Sequence, residues 1–142
     1  MKNLKGFTLI ELLIVIVIIG ILAGVVLSVL NPAQAQRKAS ESVLKANTEK
    51  LCLALFSCAA TTSDARNCDA DAASIGATAP TAPTSAAYTV STAASATAAV
   101  TVTGTLLAGV GSTSSCVFTC VYNFSTGAPT NLAESGTGCL IK

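Results

Sequence analysis

Glu11 stands alone at the head of an apolar run, and Cys52, Cys58, Cys68, Cys116, Cys120 and Cys139 all lie beyond it. These are the residues with chemistry to offer. A carboxylate in an apolar layer costs about 2.5–3.5 kcal/mol on insertion scales, so Glu11 calls for a partner. An even number of thiols on one side of the run points to disulfides in an oxidising exterior. Lys2 and Lys5, ahead of the run, predict that the N-terminus stays inside. The chain has no His, which excludes Ser-His triads and imidazole-held metals. Cys52 and Cys58 lack the C-x-x-C redox spacing. Asp69 and Asp71 offer oxygens of the kind calcium takes, but their spacing is not that of an EF-hand and Arg66 opposes them. They read as a solvated acidic loop. No catalytic centre, metal or cofactor is expected.

Composition narrows the class further. Charged residues make up 11% of the 142, against roughly 25% in an ordinary soluble domain. The net charge of +1 and the absence of Trp leave neither a basic field nor stacking platforms, so no nucleic-acid site is expected. Charge comes in blocks: Lys2, Lys5 and Glu11, then a patch from Arg37 to Asp71, then only Glu134 and Lys142.

The element that positions Glu11 is an uncharged run from Leu12 to Leu30. At 1.5 Å per residue it forms roughly 28 Å of helix, enough to cross a hydrocarbon core of about 30 Å. It has no polar stripe, as a soluble core helix would. Gly20 and Gly24 form a G-x-x-x-G pair suited to close helix packing in lipid, although glycine is frequent in membrane helices anyway.

Three readings compete for this segment. A signal peptide cut after Ala35, in Ala33-Gln34-Ala35, would have an apolar region longer than the usual range of about 7–15 residues. A permanent single-span anchor explains the length but leaves Glu11 without a reason. The third reading rests on KGFTLIELL, Lys5 to Leu13, which resembles the cleavage and methylation motif of type IV prepilins.

That resemblance implies that prepilin peptidase cuts after Gly6 and that Phe7 becomes an N-methylated first residue. Glu11 then pairs with the Phe7 amine, either its own or, as the resemblance implies, that of a neighbouring subunit. The partners implied are copies of itself or homologous pilins in a helical filament, the peptidase, the pilus assembly machinery, and the membrane before assembly. The precursor would sit in the inner membrane with its head outside, and the mature chain in an extracellular pilus. The alternatives are a secretion or DNA-uptake pseudopilin, and, from another class, a single-span or secreted surface-binding protein.

Many members of that family carry a Pro within the apolar segment. Here Ser28 occupies that region, and Pro32 follows it. Either the helix bends near Asn31 and Pro32, or Asn31 caps a separate helix that Pro32 opens.

The expected organisation is a leader over 1–6, a long helix over 7–60 with 12–30 in the membrane, and a head over 61–142. From Ala33 to Cys58 the pattern turns amphipathic. Leu44, Thr48, Leu51, Leu55 and Cys58 form one stripe, widened by Cys52, Phe56 and Ala59. Arg37, Lys38, Glu41, Lys45 and Glu49 form the opposite side, with Glu41 and Lys45 as an i,i+4 pair. Residues 61–86 read as loop. Alternation predicts strands over 87–92, 98–103 and 116–124, punctuated by Gly104, the 109–111 stretch and Gly127. The fold class is α+β: a long helix packed on a small, disulfide-stapled antiparallel sheet.

Cys116 and Cys120, on one strand, lie about 13 Å apart and cannot bond each other, because a disulfide needs Cα atoms within about 7 Å. The expected pairs are Cys58 with Cys68, Cys139 with Cys116 or Cys120, and Cys52 with the strand thiol left over. Asn123-Phe124-Ser125 matches a glycosylation triplet that chance explains as well.

Overall fold

The computed structural model describes residues 6–29, 31–109 and 111–141. The leader positions Lys2 and Lys5 lie outside them, as does Leu30 at the end of the expected span. The chain divides into two compact units, Met1–Pro32 and Ala33–Lys142.

The first unit holds α1, Leu9–Val29. Its 21 residues span about 31 Å at 1.5 Å per residue. Ser28 Oγ donates to the Val25 carbonyl at 2.8 Å, so its hydroxyl is satisfied within the helix. The helical stretch expected over 7–60 is divided, because α2 is a separate helix over Pro32–Thr61. Pro32 has no N–H and disfavours helical backbone in the residue before it. As the first residue of α2 it sits where proline is tolerated, with Asn31 just ahead and outside both helices.

In the second unit, α2 packs on one face of an antiparallel sheet. The strands are β1 (Ala86–Val90), β2 (Ala99–Leu106), β3 (Cys116–Asn123), β4 (Ala128–Pro129) and β5 (Ala133–Ser135). Their order is β1-β2-β3-β4, with β5 also on β3. Burial alternates along β2 and β3, placing Val100, Val102, Leu106, Cys116, Phe118 and Cys120 inward. They meet Leu44, Leu51, Cys52 and Leu55 of α2 in two core clusters. One gathers around Leu44, Leu106, Cys116 and Phe118, the other around Leu51, Leu55, Val100, Val102 and Cys120. The expected strands form close to their predicted bounds. β4 and β5 are absent from the sequence-based expectation because they are short and exposed and carry no alternation.

Gly104 corrects the sequence reading. It does not punctuate the sheet but lies buried in mid-β2, paired with Tyr88 and Phe118. A Cβ there would land on Thr48 Oγ1 and lie 3.3 Å from Leu44 Cδ1. The missing side chain lets the helix approach the sheet closely.

Candidate functional site

Helix α1 begins with a reciprocal cap. Thr8 N donates to Glu11 Oε2 at 2.9 Å, and Thr8 Oγ1 donates to the same oxygen at 2.8 Å. Glu11 N in turn donates to Thr8 Oγ1 at 3.4 Å. With the helix starting at Leu9, Thr8 is the cap residue and Glu11 the third helical residue, which is the S/T-x-x-E capping box. In the intact chain Glu11 therefore serves its own helix end, where a carboxylate also suits the positive pole. Thr8 is a functional residue absent from the sequence-based expectations, and the three-residue spacing from Thr8 to Glu11 is the signal that points to it.

Just upstream, Gly6 and Phe7 are exposed and outside the helix. Phe7 is 83% exposed, and among the described residues nothing approaches the side of Gly6 where a Cβ would sit. The described residues thus leave the Gly6–Phe7 bond uncovered. Its nitrogen is a peptide amide here, not an amine, so the intact chain does not join Glu11 to a cation at Phe7. Downstream, Leu9–Val26 is long and apolar enough to cross a membrane, and none of it is buried within the chain. Such a surface needs lipid or protein cover. Gly20 and Gly24 are open on the sides a Cβ would occupy.

The six cysteines form Cys52–Cys120, Cys58–Cys68 and Cys116–Cys139, with Cα atoms 6.1, 5.9 and 4.6 Å apart. The alternative left open at Cys139 is resolved toward Cys116.

Arg37 and Glu41 are a second correction. Sequence pattern puts them on the solvent side of α2, with Glu41 facing Lys45. Both are buried, with Glu41 fully enclosed. Arg37 Nε donates to Glu41 Oε1 at 3.0 Å. The Arg37 guanidinium also donates to the carbonyls of Leu106, Leu107 and Ser114. Glu41 Oε2 accepts from Leu140 N at 2.7 Å and Ile141 N at 3.0 Å. Burial of this pair is tolerable because each charge is hydrogen-bonded several times over.

In the loop, Asp69 Oδ2 accepts from Ala93 N at 2.6 Å and Asp71 Oδ1 from Ser74 N at 2.7 Å. Each acid thus fastens local backbone. Asp64 receives the Arg66 side chain and backbone N–H, and these bonds hold its carboxyl below the usual carboxylate range. Asn123 Oδ1 accepts from Ser125 N at 3.0 Å and Ser125 Oγ at 2.7 Å, closing a turn.

The family model of the prokaryotic N-terminal methylation motif matches residues 1–27. Over 46 residues, the chain is 52% identical to the type IV major pilin protein PilE1 of Neisseria gonorrhoeae, covering 32% of this chain and 28% of that one. It is 54% identical over 46 residues to the type IV wide pilus major component PilA4 of Thermus thermophilus, covering 32% and 34%. A fimbrial protein of Neisseria meningitidis matches at 52% over 46 residues, covering 32% and 27%. The matched region thus spans about a third or less of these curated relatives. No solved structure matches the chain.

Proposed function

We infer, from the type IV pilin family membership that the methylation motif and the major-pilin relatives support, that this chain is a structural subunit of a type IV pilus. The observation that carries the reading is the Gly6–Phe7 junction, exposed ahead of a capped apolar helix with no cover of its own. Before assembly the membrane covers α1. Prepilin peptidase cuts after Gly6 and creates an amine on Phe7, with a reference pKa of about 7.7–8.0, largely cationic at neutral pH. Thr8 stays with the mature chain, so the capping box survives the cut. Glu11 then has Oε2 on its own helix end and Oε1 for the Phe7 amine of a neighbouring subunit. Leaving lipid loses apolar contacts, which packing between α1 helices of many subunits replaces. The charge pair sets their register, because an acid among apolar helices is costly unless paired. The pilin relatives point to a structural role, not a catalytic one.

Two measurements test this. Mass and N-terminal sequencing of the native mature chain should find methylated Phe7. Met1 at the N-terminus would favour a fixed anchor, and Gln36 a secreted protein. Glu11→Ala should leave membrane insertion and trimming intact while reducing filament yield at least tenfold. Normal filaments from that variant would sink the pairing mechanism.

A further inference from the structure

The buried Arg37–Glu41 pair plays no part in the proposed assembly mechanism, yet among the described residues of the head it carries the densest side-chain hydrogen bonding. We propose that Glu41 is a positioning residue for oxidative folding: it holds the C-terminal segment so that Cys139 meets Cys116 and not Cys120.

Both thiols are real choices. Cys116 and Cys120 are buried on the same face of β3, each facing α2. Closing the loop to Cys120 is slightly shorter, so an unstructured segment would favour it by only about 1.3-fold on a three-halves power law. Chain entropy therefore does not select the observed pair.

The helix does. Glu41 and Cys52 lie on one face of α2, both buried, and about 16 Å apart at 1.5 Å per residue. The two strand thiols are about 13 Å apart at 3.3 Å per residue. Cys52 takes the far thiol, Cys120. Glu41 grips the N–H groups of Leu140 and Ile141, the two residues after Cys139, at the near end beside Leu44, Leu106 and Cys116. While that grip holds, Cys139 would have to move by about the strand spacing of 13 Å to reach Cys120. Arg37 fixes the Glu41 carboxylate from the other side, and its bonds to Leu106, Leu107 and Ser114 hold the chain leading into β3.

Other contacts bring the segment into range. β5 pairs Ser135 with Val117, and Gly138 N donates to Ser115 O at 3.3 Å. All three β5 residues are exposed, however, so this pairing buries little. The pairing reaction itself is ordinary exchange. With oxidised glutathione as oxidant, Cys116 forms a mixed disulfide and releases one glutathione thiol. The Cys139 thiolate then attacks the Cys116 sulfur, forms the S–S bond and expels the second glutathione thiolate. Two cysteines lose two electrons and two protons, and one oxidised glutathione becomes two reduced ones.

The test is refolding of the full chain from the reduced state in detergent micelles with a glutathione buffer, followed by non-reducing peptide mapping. The Arg37→Met/Glu41→Met double variant removes the grip without leaving a lone buried charge. It should shift the ratio of Cys116–Cys139 to Cys120–Cys139 peptides by at least threefold toward the second. An unchanged ratio overturns the proposal, since β5 and Gly138 would then suffice. A second measurement decides the matter if the double variant fails to fold. In Cys116→Ser/Cys139→Ser, which has no covalent staple, the Leu140 and Ile141 amides should exchange at least tenfold more slowly than an unstructured chain. Exchange at the unstructured rate, by whatever route, overturns it.

Discussion

At Gly104 the absence of a side chain lets β2 lie against α2, with Thr48 and Leu44 filling the space. Gly104→Ala should therefore overpack the interface and cost roughly 1–3 kcal/mol. A urea titration should show a lower midpoint with an unchanged slope. Asp64 offers a different check. The Arg66 side chain, and then its backbone N–H, lower the Asp64 pKa in the folded chain. The unfolded chain thus binds that proton more tightly. The small stabilisation from Asp64 is present above the ordinary carboxylate pKa and lost as pH falls through the lowered value. An NMR titration of Asp64 should give a midpoint below that of an unpaired aspartate, and Arg66→Ala should move it back up. At this scale the sequence was legible where a residue's type and its local spacing agreed, as at Leu44, Leu51 and Leu55, which the predicted stripe places inside. It misled where they disagreed. Arg37, Glu41, Leu44, Thr48, Leu51 and Leu55 step by four and three along α2, so spacing alone put both charges on the buried stripe. Their charge argued them off it, because the rule that charges face water assumes no buried partners.

Among the elements, β3 was the most legible, because its strict alternation names the buried face without reference to anything else. The disulfides attach that face to α2 and to the C-terminal segment. In the chain-entropy picture, a bond closing a longer loop constrains the unfolded state more. Cys52–Cys120 closes a separation of 68 residues and Cys58–Cys68 one of 10. Replacing the first pair with Ala should cost about 4.4 kcal/mol and the second about 2.7 kcal/mol, before any change in native packing. Thermal melts of the two double variants should keep that order, and the reverse order would show that local packing around Cys58 and Cys68 outweighs loop entropy. The division of the helix at Pro32 was half legible. Proline marks the place, but whether the chain bends or restarts depends on the flanking backbone, and it restarts as α2.

For the whole molecule, two units with opposite solvent requirements share one chain. Residues 33–142 enclose both core clusters and all three disulfides. Produced alone in an oxidising compartment, they should be soluble without detergent and keep the native pairing, whereas the full chain should partition into detergent. Aggregation of the 33–142 piece with its disulfides formed would contradict this. The sequence by itself determined the apolar segment, the N-terminal methylation motif and the α+β class, because each is a property of neighbours along the chain: run length, spacing and alternation. Only the tertiary structure decided the burial of Arg37 and Glu41, the close approach at Gly104 and the choice of Cys116 for Cys139. In each case, beyond the local Arg37–Glu41 contact, the partners that decide the outcome lie tens of residues away. A charge is tolerated inside, a glycine is required, or a thiol is selected according to what another element brings beside it.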